Sequence, residues 1–438
     1  MSERSERPEG GAERSERSEG GAERSERSEG DGAAVTKLLD AIADIGRDPA
    51  TGGYRRFAFS RADAELAEWF AAEASARGLD VTTDRGGNQW AWWGDPEAAG
   101  PGGAVVTGSH LDSVPDGGAF DGPLGVAAAL VAVDLLREKG LRPQRPLGLV
   151  RFVDEEGARF GLACSGSRVL AGAADPARVL GLRDRDGITY AEAMAAAGLD
   201  PGQAGPDREA LSRIGAFVEL HVEQGRALVD LGAPVGVASL IRPHGRWRVD
   251  LTGRADHAGT TLLADRDDPM LSLARLITAA REAAARSRAL ATVGKVEVRP
   301  NAVNAIPSSV SAWLDVRADT EEQVRHVLAE LAAAGFGPVE ESWTAVTPMD
   351  PGLSAEVGRA AGAAGGGELP VLATGAGHDA GVLAQAGIPS AMIFVRNPTG
   401  VSHAPAEYAE PVDCEAGAAA LAEALSRLVG AACQDGRP

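Results

Sequence analysis

Cysteine is scarce in this chain: Cys164, Cys414 and Cys433 stand far apart among 438 residues and form no CxxC pair, which argues against a disulfide framework. Long apolar runs are missing as well. The stretch VAAALVAVDLL at 126–136 falls well short of the roughly 20 residues a helix needs to cross a bilayer, and no basic segment precedes an apolar one at the start of the sequence. A cytoplasmic protein with no membrane partner is expected. Positive charge is in deficit, with 43 Lys and Arg against 63 Asp and Glu and a formal net charge of −20. Nucleic acid needs a basic footprint and is excluded as a partner on that ground; the acidity reads as a solubilising surface.

What is present divides into two parts. Residues 1–32 open with MSERSERPEG, GAERSERSEG and GAERSERSEG, a ten-residue repeat whose only aliphatic residue is alanine. Such a segment cannot bury enough surface to offset the entropy of ordering, so a disordered low-complexity tail is expected there. From Ala33 the chain is 44% hydrophobic by overall composition and long enough for two domains. Apolar residues recur at three- and four-residue spacing in AVTKLLDAIADIG and RADAELAEWFAAEASARGL, which predicts helices. Strand-like VTTD, QWAWWG and AVVTG follow, then the helical GVAAALVAVDLLREKG and the strand LGLVRFVD. This alternation predicts an α/β fold, a parallel or mixed sheet flanked by helices.

In such sheets polar sites gather beyond the carboxyl ends of strands. The apolar run AVV at 104–106 leads into GSHLDSVPDGGAFDGPLGV, and LGLVRFV leads into DEEGARFG. IGAFVEL runs into HVEQG, and SAMIFV leads through RNPTG into VSHAPAE. His110, Asp121, Glu155, Glu156, His221 and His403 therefore all follow apolar strands, in a chain with seven histidines. Imidazole and carboxylate donors without cysteine suit zinc, manganese, cobalt or nickel.

Seven segments, GSHLDSVPDGGAFDGPLGV, DEEGARFG, ELHVEQG, GRADHAGTT, RPNAVNAIP, GAGHDA and GVSHAPAE, resemble in order and context the amidohydrolases that cleave N-carbamoyl-L-amino acids, 3-ureidopropionate and allantoate. These enzymes form a branch of the aminoacylase and carboxypeptidase metallopeptidases. The resemblance covers the chain from about Ala33 onward. It implies a zinc-peptidase-like catalytic domain and two divalent metal ions bridged by Asp121, one held by His110 and His221, the other by Glu156 and His403. Asp112 corresponds to the carboxylate that orients the His110 ring, or else satisfies its own loop. Glu155 is similar to the general base that takes a proton from water and returns it to the leaving nitrogen.

From about residue 245 to 347, GRWRVDLTG, TVGKVEVRP, SSVSAWLDVRA and VEESWTAVT read as strands, and DPMLSLARLITAAREAAARS and EEQVRHVLAELAAAG as helices. They make a small α+β sandwich. It resembles the family's inserted lid, which carries a homodimer contact, and would leave 33–244 and 348–438 as the two parts of the catalytic domain. By the same resemblance His257 reaches the neighbouring active site to stabilise an oxyanion. Asn304 and Arg317 match a pair that holds the substrate carboxylate, an arginine fork being suited to two parallel hydrogen bonds; a strand-end salt bridge is the other reading of Arg317. Gln224 and His378 are expected on the substrate side.

The lead substrates are allantoate or an N-carbamoyl-L-amino acid, with N-formyl- or N-formimino-L-glutamate as the alternative and a non-catalytic small-molecule-binding relative as the reading from a different class. TTLLADRDDPM and SLIRPHGRWRV depart from the family pattern, the latter adding Arg242, His244 and Arg246. Extra arginines suit a second carboxylate or are simply solvated charges.

Overall fold

Four strands of the chain, Ala104–His110, Leu147–Phe152, Ile214–Val222 and Ser390–Val395, are apolar along most of their length and buried almost throughout. A strand buried on both faces belongs in the interior of a parallel sheet rather than beside water. The computed structural model, which describes residues 34–432 except Pro101 and Gly366, places them there. The expected repeat tail, 1–32, lies outside the described residues. In the order 147–152, 104–110, 214–222, 390–395 the four lie side by side and all parallel. Antiparallel strands Gln89–Trp93 and Asp80–Thr83 extend one flank. On the other, Ser390–Val395 is inserted between Ile214–Val222 and the antiparallel Val235–Ile241, which also pairs with Thr347–Pro348 and Val371–Thr374. The result is a nine-stranded mixed sheet.

Helices cover both faces, as the α/β alternation predicts. Pro123–Glu138 is buried along most of its length, and its core includes residues of Ala34–Ala41, Arg61–Ala76, Pro351–Gly365 and Pro411–Leu428. It rests close on the sheet. A Cβ at Gly125 would stand 2.2 Å from the carbonyl oxygen of Leu220, so glycine is what permits that approach. On the opposite face Trp90, Phe152, Phe217 and Phe394 form a second core with Leu170 and Leu383, from helices Ser165–Ala171 and Asp379–Gln385. Among the described residues no helix is long and apolar enough to cross a membrane.

Residues 244–344 build a separate four-stranded antiparallel sheet in the order Leu290–Arg299, Ser309–Arg317, His244–Thr252, Val339–Thr344. Its two central strands alternate strictly between buried and half-buried or exposed positions. The buried set, with Trp247, Val249, Val310 and Leu314, packs on Leu276 and Val327 of helices Pro269–Ser287 and Glu321–Ala333. The other set, with His244, Arg246, Asp315 and Arg317, faces away from that core. Period-two alternation thus gives this sheet one apolar face and one charged face.

Candidate active site

The four parallel strands end on the same side, and the polar segments that follow them converge there. His110 closes Ala104–His110 and His221 stands near the end of Ile214–Val222; both are buried. Each ring is set by a backbone carbonyl. Nδ1 of His110 lies 3.1 Å from the carbonyl oxygen of Asp112, and Nδ1 of His221 lies 2.9 Å from that of Val222. Those contacts assign the proton to Nδ1 and leave both Nε2 atoms turned inward. Gly122, at φ +86°, allows the loop to pass over His110, since a Cβ there would meet the ring at 2.4 Å.

Asp121 is the meeting point. Its Oδ1 lies 3.2 Å from His221 Nε2 and 3.7 Å from His110 Nε2, while its Oδ2 lies 3.4 Å from His403 Nε2. The same His403 atom is 3.4 Å from Glu156 Oε1. One carboxylate therefore joins two donor groups, His110, Asp121 and His221 on one side and Asp121, Glu156 and His403 on the other. Burial opposes the charge of Asp121, yet the three imidazoles around it hold its carboxyl well below the usual range. Burial lifts Glu156 to about 7, helped by Asp121. It works against charge on His403 too, but Asp121 and Glu156 raise that imidazole to about 9.

This donor set fits a pair of divalent cations. Nε2 of His110 and Nε2 of His221 are buried and have no hydrogen-bond partner, an arrangement costly to an ordinary core and natural for metal ligands. The carboxylates hold the imidazoles toward their protonated forms, a demand for positive charge that a bound cation meets in place of protons.

Glu155, also buried, stands beside both groups with its Oε2 3.8 Å from His110 Nε2. Burial pushes its carboxyl well above the usual range, with His110 pulling against and Glu156 adding to the rise. Asp112 holds this corner together in an unexpected way. Its carboxylate is 3.5 Å from His110 Nδ1, farther than its own carbonyl, and it accepts the backbone N–H groups of Glu155 at 3.1 Å and Glu156 at 3.0 Å. It thus ties the loop after one strand to the loop after its neighbour.

Some supporting groups carry no strong sequence signal. The Cys164 thiol donates to Glu155 Oε1 at 3.3 Å, although nothing near Cys164 distinguishes it from a buried apolar residue. Glu219, in mid-strand, accepts from Ser109 Oγ at 2.8 Å and from the Ala380 N–H at 3.0 Å. Glu407 accepts the N–H groups of Phe120 and Asp121 at 2.9 and 2.8 Å, and Ser402 Oγ donates to Asp121 Oδ2 at 2.9 Å. The motif VSHAPAE contained both Ser402 and Glu407.

The expected substrate-side residues divide. Gln224 lines the cavity, but its amide donates to Asp121 Oδ2 at 2.8 Å. His378 lines it too, edge-on to His221 at 4.5 Å, with both ring nitrogens unpartnered and its basicity depressed by burial and by His221. Arg317 reaches the cavity, yet its Nε and Nη2 grip Asp315 at 2.7 and 3.0 Å, and its Nη1 donates to the Gly375 carbonyl at 2.8 Å. His257 and Asn304 do not join it. They are exposed on a short ribbon, Asp256–His257 paired with Ala305–Ile306, where the Asn304 carbonyl accepts the Ala258 N–H at 3.0 Å.

Comparison with known proteins gives the family. The model of peptidase family M20/M25/M40 matches residues 106–427. An N-carbamoyl-L-amino acid amidohydrolase of Geobacillus stearothermophilus is 37% identical, over 91% of this chain and 98% of the relative. An allantoate amidohydrolase of Bacillus subtilis is 32% identical, over 90% and 97%. The crystal structure of an amidase of the hydantoinase/carbamoylase family from Burkholderia vietnamiensis superimposes with a TM-score of 0.80 at 31% identity, covering 91% of this chain and 97% of that one. The chain belongs to peptidase family M20/M25/M40, in the amidohydrolase branch of that family.

Proposed function

We propose that the protein hydrolyses a linear C–N bond of allantoate or of an N-carbamoyl-L-amino acid, releasing ammonia and carbon dioxide. The observation that carries this is the single Asp121 carboxylate shared between two His/carboxylate groups beside the buried Glu155, whose Oε2 lies 3.8 Å from His110 Nε2. Similarity to relatives named for those two activities supports the substrate class. His110, Asp121 and His221 would hold one divalent ion; Asp121, Glu156 and His403 the other; zinc and manganese suit these donors best, with cobalt or nickel also acceptable. Bound there, such a pair supplies Lewis acidity for the scissile carbonyl and lowers the pKa of water.

The chain does the rest. Glu155, which lines the cavity, accepts a proton from water, then passes it to the departing nitrogen. A carboxyl raised by burial is suited to both halves of that shuttle, because it gives a proton back as readily as it takes one. Cys164 and Asp112 keep the glutamate and its loop in place, and His378 and Gln224 line the substrate space. We read 245–347 as a lid through which a cytoplasmic homodimer forms, with His257 serving the neighbouring site and Asn304 and Arg317 the substrate carboxylate. Mixing Glu155→Gln with His257→Ala protein should then restore activity in mixed dimers; no recovery would remove His257 from that role.

The test is ammonia release by protein stripped of metal and reloaded with zinc, manganese, cobalt or nickel, offered allantoate, several N-carbamoyl-L-amino acids and N-formyl-L-glutamate. Ammonia that depends on added metal is expected. Formate without ammonia would overturn the ureido substrate, and no product with any metal would overturn the enzyme.

A further inference from the structure

The cavity at the metal-ligand end, about 360 Å³ in volume, is closed on its far side by the charged face of the small sheet. Arg168, Arg246 and Arg317 all reach it. Arg317 is already matched, its fork occupied by the Asp315 carboxylate. The other two have no carboxylate of their own. The Arg246 guanidinium makes only a long ion pair, 3.7 Å, to that same Asp315 and no hydrogen bond among the described residues; Arg168 donates only to the Ala163 carbonyl at 3.1 Å and to Thr344 Oγ1 at 3.3 Å. Arg317 and Arg246 thus share Asp315, and Arg168 has no ion-pair partner among the described residues; the other carboxylates lining the cavity, Asp121, Glu155 and Glu156, belong to the metal-ligand corner.

Strand pairing puts these two close together. Ser342 lies opposite Arg246, and Thr344, which Arg168 touches, is two residues along the same strand and on the same side. Between them the Ser342 and Thr344 hydroxyls add further hydrogen-bonding groups. An apolar substrate side chain placed here would bury guanidinium groups without partners, which is costly. The substrate's own carboxylate, assigned above to Asn304 and Arg317, leaves Arg246 and Arg168 without an anion of their own.

We infer that the preferred substrate carries a second anionic group at its side-chain end, and that Arg246, with Arg168 beside it, is the specificity-determining residue that receives it. The inference rests on the ureido-acid reading above and narrows it to acidic members of that class. N-carbamoyl-L-glutamate and N-carbamoyl-L-glutamine, nearly equal in shape and different in charge, provide the comparison. The kcat/KM for the glutamate derivative is expected to exceed that for the glutamine derivative at least tenfold. In Arg246→Gln that ratio should fall about tenfold, mainly through KM, with unchanged circular dichroism. Equal rates for the two substrates, or a ratio that survives Arg246→Gln, would overturn the inference while leaving the ureido reading intact. If neither is hydrolysed, nor allantoate, the ureido reading fails; with neither carbamoyl compound turned over, calorimetry with glutarate against glutaramate decides the pocket separately. Tighter binding of glutarate that is lost in Arg246→Gln upholds it; equal binding of the two overturns it.

Discussion

The two sheets hold their polar groups by different means. At the carboxyl ends of the parallel strands, His110, Asp121 and His221 are buried, and the two imidazoles are fixed by backbone carbonyls with their Nε2 atoms left open. On the small sheet, His257 and Asn304 are exposed, and Arg317 is already engaged by a neighbour two residues away. One region is preorganised; the other offers groups whose partners must change when substrate arrives. A catalytic metal site needs the first property, because a shift of a fraction of an ångström in a donor spoils it, whereas selecting among substrates tolerates the second.

That contrast is most severely tested at Asp121. Asp121→Ala removes the shared carboxylate, and metal analysis should find both ions lost together with turnover; retention of one ion at full occupancy would show that the two groups are independent. Glu155→Gln should lower kcat by about 100- to 10,000-fold, the usual worth of a general base, while metal content and melting temperature stay near those of the parent. A loss of metal in that variant would make Glu155 a ligand instead. In the other region, Leu276→Ala opens the small sheet's own core, where Leu276 is fully buried. A cost of about 2–5 kcal/mol is expected from denaturant unfolding, with the metal content of the folded protein unchanged. Asp112→Asn is the mildest: one of the two backbone N–H groups that Asp112 accepts faces an amide group in place of a carboxylate oxygen. Metal affinity should drop about 10- to 100-fold, as for other residues that orient ligands, and an unchanged affinity would assign Asp112 to the loop alone.

Much of the preorganised region was legible in the sequence because each strand is an apolar run that leads, at once or through a short loop, into a His, Asp or Glu, and burial on both faces forces such runs into the middle of a parallel sheet. The small sheet was legible through its two-residue alternation. What the sequence concealed lies between elements. Pairing order is not written along the chain, so nothing in SAMIFV announces that it lies between two strands some 150 residues earlier. Cys164 resembles any buried apolar residue until its thiol is seen against Glu155. Arg317 was expected to hold substrate or to pair along its own strand; Asp315, two positions before it on the same face, takes the fork in this structure.

The insertion of Ser390–Val395 into the middle of the large sheet also bears on how the protein is made. Synthesis runs from the N-terminus, so Ile214–Val222 and Val235–Ile241 leave the ribosome long before the strand that joins them. Until residue 395 has emerged, each has an open edge of the kind that pairs with other chains and aggregates. Meanwhile the intervening 244–344 sheet has all of its strands and can complete its own core. The ribosome thus delivers the small sheet first and the catalytic ligand set last, since His403 follows the closing strand by only eight residues. A chain cut short between residues 241 and 390 would be more than an inactive enzyme: it would carry two apolar strands with unpaired edges into the cell, and quality control rather than lost catalysis would decide its fate.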